Sequence, residues 1–199
     1  NNPGTPVYEL RPNGERVFAQ DGDWMYLAGA GATPQGDRPF LDKFNLKTRE
    51  KQRLFRATEN RYETFVGFVG KSKNRIITRA ESKIDYPNFF AVDIATKQEE
   101  KSENGIKRES ITSFSDPAPS LASLKKELIK YKRADGVPLS GTLYLPPNYK
   151  PGERLPLIIW AYPLEYNDAA TAGQVRSQPN RYTQRSRSYS TIYLALQGY

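Results

Sequence analysis

YKRADGVPLSGTLYLPPNY (residues 131–149), followed by LPLIIWAY (residues 155–162), decides the fold class of this 199-residue chain. Asp135-Gly136 is a hairpin turn signal, because both residues tolerate the positive φ that a tight reversal needs. The returning strand, 137–149, is stopped by Pro146-Pro147, and Pro151-Gly152 marks a further turn. LPLIIWAY is continuously apolar, as in strands buried on both faces of a helix-covered sheet. Upstream, SFSDPAPS (113–120) is rich in Pro and Ser and reads as a linker. In LASLKKELIKYKRADG, Leu121, Leu124 and Leu128 predict a short amphipathic helical turn, with strand from Leu128 onward. TIYLALQGY (191–199) reads as strand. Residues 121–199 therefore read as the first strands of an α/β sheet.

Residues 1–112 read as β structure. Trp24-Met25-Tyr26-Leu27 follows an Asp21-Gly22-Asp23 turn signal, and PFLDKFNLKT (39–48) precedes KQRLF (51–55). FVGFVG (65–70), RIITRAES (75–82) and NFFAVDIAT (88–96) follow, and these three are expected to pair as antiparallel neighbours. Short strands with turn residues between them indicate a sandwich, barrel or propeller. FNLKTRE (44–50) is echoed 48 residues later by VDIATKQ (92–98). A period of roughly 40–50 residues is that of four-stranded propeller blades, and a closed propeller typically needs 4–8 of them. The overall expectation from these residues is a mainly β, fragmentary chain: short strands and turns in 1–112, a linker in 113–120, and the start of an α/β sheet in 121–199.

Composition narrows the chemistry. Aromatic residues make up 12% of the chain, enough bulk for a core and unlike a disordered tail. The longest apolar run is far short of the roughly 18–20 residues a bilayer-spanning helix requires, so no membrane partner is expected. The net charge of +8 is spread along the chain, as on a solvated surface, without the clustered Lys and Arg of a nucleic-acid footprint. There is no Cys, hence no disulfide, thiolate metal site or cysteine nucleophile. There is also no His, which removes the commonest general base and metal ligand and rules out a complete Ser-His-Asp triad built from these residues alone. Neither a metal nor a cofactor is expected: Gly29-Ala30-Gly31 and Gly70-Lys71-Ser72 lack the further glycines of nucleotide-binding loops. Glu99 and Glu100 lie in a highly charged, solvated run. Met25 is the single methionine, NNPGTPVYEL has no leader-like pattern, and TIYLALQGY ends without a polar tail, so a piece of a longer polypeptide is expected.

Three stretches carry a resemblance. They are GAGATPQGDRPFLDKFNLKT (29–48), the YKRADG hairpin, and AYPLEYNDAATAGQVRSQPNRY (161–182). Together with VPLSGTLYLPPNY and LPLIIWAYP they resemble the prolyl oligopeptidase family of serine peptidases, and within it the glutamyl endopeptidase branch. In the last stretch Arg176 is followed by Ser177-Gln178, where the branch has a Gly-Ser pair. The resemblance implies a β-propeller capping an α/β-hydrolase domain, with terminal propeller blades in 1–112, a linker in 113–120 and the first strands of the α/β-hydrolase sheet in 121–199. It implies peptide substrates with an acidic residue and cleavage after Glu. It also implies an exported protein if bacterial and a plastid protein if from a plant. The family's nucleophile sits on a Gly-x-Ser-x-Gly elbow, which does not occur here, so the 199 residues alone are expected to be inactive.

On this resemblance Tyr162 is the catalytic candidate. A Tyr at the end of the corresponding strand donates its hydroxyl to the oxyanion, where negative charge develops in the tetrahedral state; the plain alternative is a tyrosine packed at a strand end. Arg176 and Arg181 are candidates for binding the substrate carboxylate, which Arg pairs bidentately; the alternative is a surface charge, or an ion pair with Glu165 or Asp168. Lys132, Arg133 and Asp135 read as a solvated turn. RYTQRSRSYS (181–190) reads as a surface loop, with phosphate binding or base stacking as its alternative. The remaining partner is the rest of the parent chain, and open sheet edges favour self-association of the isolated piece. The rival reading, of a different class, is a stand-alone basic β-rich module that binds an acidic polymer.

Overall fold

The computed structural model describes residues 3–94, 108–161, 180–182 and 190–199, and these are mainly β. Strands β1 (Trp24–Gly29), β2 (Phe40–Asn45) and β3 (Lys51–Arg56) form one antiparallel sheet, in that order. Two short strands, Thr5–Pro6 and Gln20–Asp21, extend it beyond β1. Strands β4 (Tyr62–Val69), β5 (Arg75–Glu81), β6 (Asn88–Asp93) and β7 (Arg108–Ser110) form a second antiparallel sheet, again in chain order. The FVGFVG, RIITRAES and NFFAVDIAT segments are thus neighbours, as their alternation predicts.

The two sheets are built alike. Asn45, at the end of β2, turns the chain by accepting the N–H groups of Lys47 and Thr48 on its side-chain oxygen, each at 2.9 Å, and Arg49 adopts a φ of 62°. Short Asn side chains stabilise such turns by local bonds to the backbone. The next residue, Leu46, donates its N–H to the carbonyl of Asp23, and Ile94, at the matching place after β6, donates to the carbonyl of Asn74. The 48-residue echo in the sequence is therefore the passage out of β2 and out of β6. The rest of its second copy lies outside the described residues.

One apolar core joins these sheets. Tyr26, Leu41 and Phe55 from the first meet Ile76 and Val92 from the second. Leu41 lies directly across from Phe55, and Ile76 across from Val92. Such cross-strand pairs are the unit of sheet stabilisation. The ring of Tyr26 meets that of Phe68 edge-on at 4.7 Å. Two buried carboxylates brace the strands. Asp42 takes Arg53 and Lys51, and Glu63 takes Thr78 from β5 and Arg108 from β7.

A second, smaller core lies later in the chain. Strands β8 (Lys125–Lys132) and β9 (Pro138–Leu145) form a hairpin turned at Asp135-Gly136, with Gly136 at φ 86°. Leu121 and Leu124 pack there with Ala195 of the one-turn helix α1 (Ile192–Ala195). Three expectations are corrected here. The helical turn is a 3-10 turn over Pro119–Ser123, and strand begins at Lys125 rather than Leu128. TIYLALQGY is not strand: Ile192, Ala195 and Leu196 fall on one helical face against the Leu121–Leu124 core. Gly198, at φ 97°, ends the helix through N–H bonds from Gly198 to Ala195 and from Tyr199 to Leu194. LPLIIWAY is not a buried strand over its described part. Leu157, Ile159 and Trp160 are 72%, 79% and 75% exposed, and no described strand pairs with this run. A strand exists only where its N–H and C=O groups find a ladder.

Candidate functional site

Of the three sequence-derived site residues, Tyr162 and Arg176 lie outside the described residues. Arg181 is described, in the segment Asn180–Tyr182. The local sequence explains why this segment docks where it does. RIITRAES keeps its alternation to the end of β5, but the strand then buries three consecutive residues, Ala80, Glu81 and Ser82. A carboxylate there must be paired, because desolvating an unpaired charge is costly.

Glu81 is 1% exposed. Arg79 donates to its Oε1 at 2.8 Å, and the N–H of Tyr182 donates to its Oε2 at 2.9 Å. The Nε of Arg181 lies 3.6 Å from Oε1, and the Arg181 guanidinium sits 5.0 Å from the centre of the Tyr62 ring. That guanidinium is partly exposed and faces a carboxylate of this chain, Glu81; Glu165 and Asp168 lie outside the described residues. Tyr182 is buried: its hydroxyl donates to Asp116, and its ring meets Tyr86 edge-on at 5.5 Å. Burial and the Asp116 carboxylate hold that phenol well above the usual tyrosine range.

Lys126 of β8 completes the cluster. It is buried, and its Nζ donates to the carbonyl of Arg181 at 2.9 Å. Burial pulls its ammonium down to about 8; Glu81 pushes the other way, and Arg181 and Lys83 add to the lowering. The sequence held a signal for this lysine. Leu124, Lys126 and Leu128 alternate with period two, so a strand turns Lys126 to the same face as the two leucines. On a helix through Leu121, Leu124 and Leu128 it would fall on the polar side instead. Glu81 carried a weaker signal, a lone carboxylate closing an apolar alternation.

Among the described residues the cluster presents no nucleophile paired with a base. Among the described residues no group of three or more Asp and Glu is placed to hold a metal ion. The Arg133–Asp135 pair at the hairpin tip is exposed, as expected of a solvated turn. Hydrogen bonds from Arg133 hold the Asp135 carboxyl down at about 2.

Two curated relatives align over almost all of the chain. It is 36% identical over 98% of its length to "Probable glutamyl endopeptidase, chloroplastic" of Arabidopsis thaliana. It is 35% identical, again over 98%, to the protein of the same name from Oryza sativa subsp. japonica. The chain spans about a fifth of these relatives, 21% and 22% of their lengths. No protein-family model matches it. Among solved structures it is similar to the AtxE2 isopeptidase. A variant of that protein with Astexin3-dC4 bound aligns with a TM-score of 0.42 and 20% identity, over 79% of this chain and 24% of the other. The apo form aligns at 0.40 and 18%, over 76% and 23%.

Proposed function

The chain is a relative of the glutamyl endopeptidases, and from that premise we propose that it is part of a serine peptidase that cleaves after acidic residues. The observation that carries this reading is identity of 35–36% across 98% of the chain to proteins of that name. In this reading residues 1–112 supply the last blades of a β-propeller. Residues 113–120 form the connector, and residues 121–199 open the α/β-hydrolase domain. The shared construction of the two sheets after β2 and β6 supports the blade assignment.

Tyr162 donates its hydroxyl to the oxyanion of the tetrahedral intermediate. Donors fixed toward developing charge in a water-poor site are among the largest single contributions to acyl transfer. Arg176 and Arg181 pair with the acidic side chain of the substrate. The chain has no histidine and no Gly-x-Ser-x-Gly elbow, so the nucleophile and base come from other residues of the parent.

The test uses two polypeptides. The full-length gene product hydrolyses a fluorogenic peptide with Glu before the scissile bond and is slower by at least tenfold on its Gln counterpart. The 199-residue chain hydrolyses neither and takes no label from a fluorophosphonate serine probe. Equal rates on Glu and Gln overturn the specificity, and stoichiometric labelling of any serine in the 199 residues overturns the division of labour. A gene product without hydrolase activity returns the chain to the basic binding-module reading.

A further inference from the structure

Segment Asn180–Tyr182 makes an unusual set of contacts for three residues. Asn180 donates its side-chain amide to the carbonyl of Glu59, 121 residues back in the chain. Arg181 offers its carbonyl to Lys126 and its guanidinium to Glu81 and the Tyr62 ring. Tyr182 gives its N–H to Glu81 and its hydroxyl to Asp116. The partners come from five places: the turn before β4, the start of β4, the end of β5, the connector, and the hairpin strand β8.

The two apolar cores share no residue. One joins the sheets β1–β3 and β4–β7; the other gathers Leu121, Leu124 and Ala195. What ties them at this segment is polar and charged, the composition of interfaces that form and release. Holding sequence-distant groups together also costs closure entropy, which the contacts must offset. A static core position is more simply filled by an apolar residue, since a buried ion cluster competes poorly with hydrophobic packing of the same volume.

We propose that Asn180–Tyr182 is a releasable latch, with Tyr182 as its pin, that fastens the hairpin region to the sheets and connector through Glu81, Asp116 and Lys126. When it opens, the connector and β8 are released together, while the sheets stay folded.

Hydrogen exchange read by mass spectrometry on the full 199-residue chain tests this with two variants. Glu81→Gln keeps an acceptor for the Tyr182 N–H and removes the charge that faces Arg79, Arg181 and Lys126. Tyr182→Phe removes only the bond to Asp116 and keeps the ring against Tyr86. The latch requires exchange to rise about tenfold in Glu81→Gln, and by a smaller factor in Tyr182→Phe. The rise must occur together in 180–182, the connector and β8, with β2 and β5 unchanged. Faster exchange confined to 180–182, an equal rise in every strand, or no rise overturns it. Should Glu81→Gln fail to fold, Tyr182→Phe decides by the same pattern.

Discussion

Tyr162→Phe in the full-length peptidase lowers kcat/KM by about 10²–10³, a loss of about 2.7–4 kcal/mol of transition-state stabilisation. The substitution keeps the ring and deletes one donor. Its effect therefore falls on the state in which the carbonyl oxygen carries charge, and kcat drops while KM moves little. The expectation rests on sequence: Tyr162 follows LPLIIWA and precedes Pro163, which has no backbone N–H to donate. Arg176→Gln and Arg181→Gln give the contrasting signature, because a group that holds the substrate side chain acts on Glu substrates and spares Gln ones. Steady-state kinetics on the Glu peptide separates the cases. A Phe variant with wild-type kcat/KM assigns Tyr162 to packing and removes it from the catalytic machinery.

The sequence exposed the parts of this fold whose partners lie nearby in the chain. RIITRAES pairs on both sides with segments within about twenty residues, so its period-two pattern and flanking turns are enough to place β5 between β4 and β6. The Asp135-Gly136 turn likewise fixes the β8–β9 register from local chemistry alone. Misreadings fall where one apolar pattern serves two periods. Leu121, Leu124 and Leu128 fit a helix, while Leu124, Lys126 and Leu128 fit a strand, and the chain takes a 3-10 turn followed by a strand. Ile192, Leu194 and Leu196 fit a strand, while Ile192, Ala195 and Leu196 fit a helix, and the Gly198 cap decides for helix. LPLIIWAY has the composition of a buried strand, but composition cannot supply the neighbour a ladder requires. The docking cluster was the least legible feature. Its members, Glu81, Asp116, Lys126 and Tyr182, are spread over a hundred residues, and a buried charge looks like a surface charge until its partners are found.

Lys126 makes that buried cluster measurable through pH. In the folded chain burial lowers its ammonium to about 8, whereas an unfolded chain holds the same proton up to the ordinary lysine value of 10.5. Between those values the unfolded state binds more protons, so stability rises with pH across this window. Below about pH 8 both states are protonated, and the folded state carries the full cost of an ammonium out of water. The gain from pH 7 to pH 10 is about 2–3 kcal/mol. Tyr26, Tyr62, Tyr144 and Tyr182 run the other way. Their raised values favour the folded state up to the ordinary phenol range and lose that effect above it, which caps the useful window near pH 10. Lys126→Met keeps an unbranched apolar side chain and removes the titrating group, whose Nζ lies 5.8 Å from the centre of the Tyr144 ring. The measurement is the urea unfolding free energy of both proteins from pH 7 to 10, taken as a difference so that the tyrosines cancel. The wild-type chain gains stability over the Met variant as pH rises, and the variant starts ahead at pH 7 unless the lost bond to the Arg181 carbonyl offsets the relief of the buried charge. Parallel curves show that Lys126 keeps an ordinary ammonium in the folded chain, which places its Nζ in water rather than against the carbonyl of Arg181.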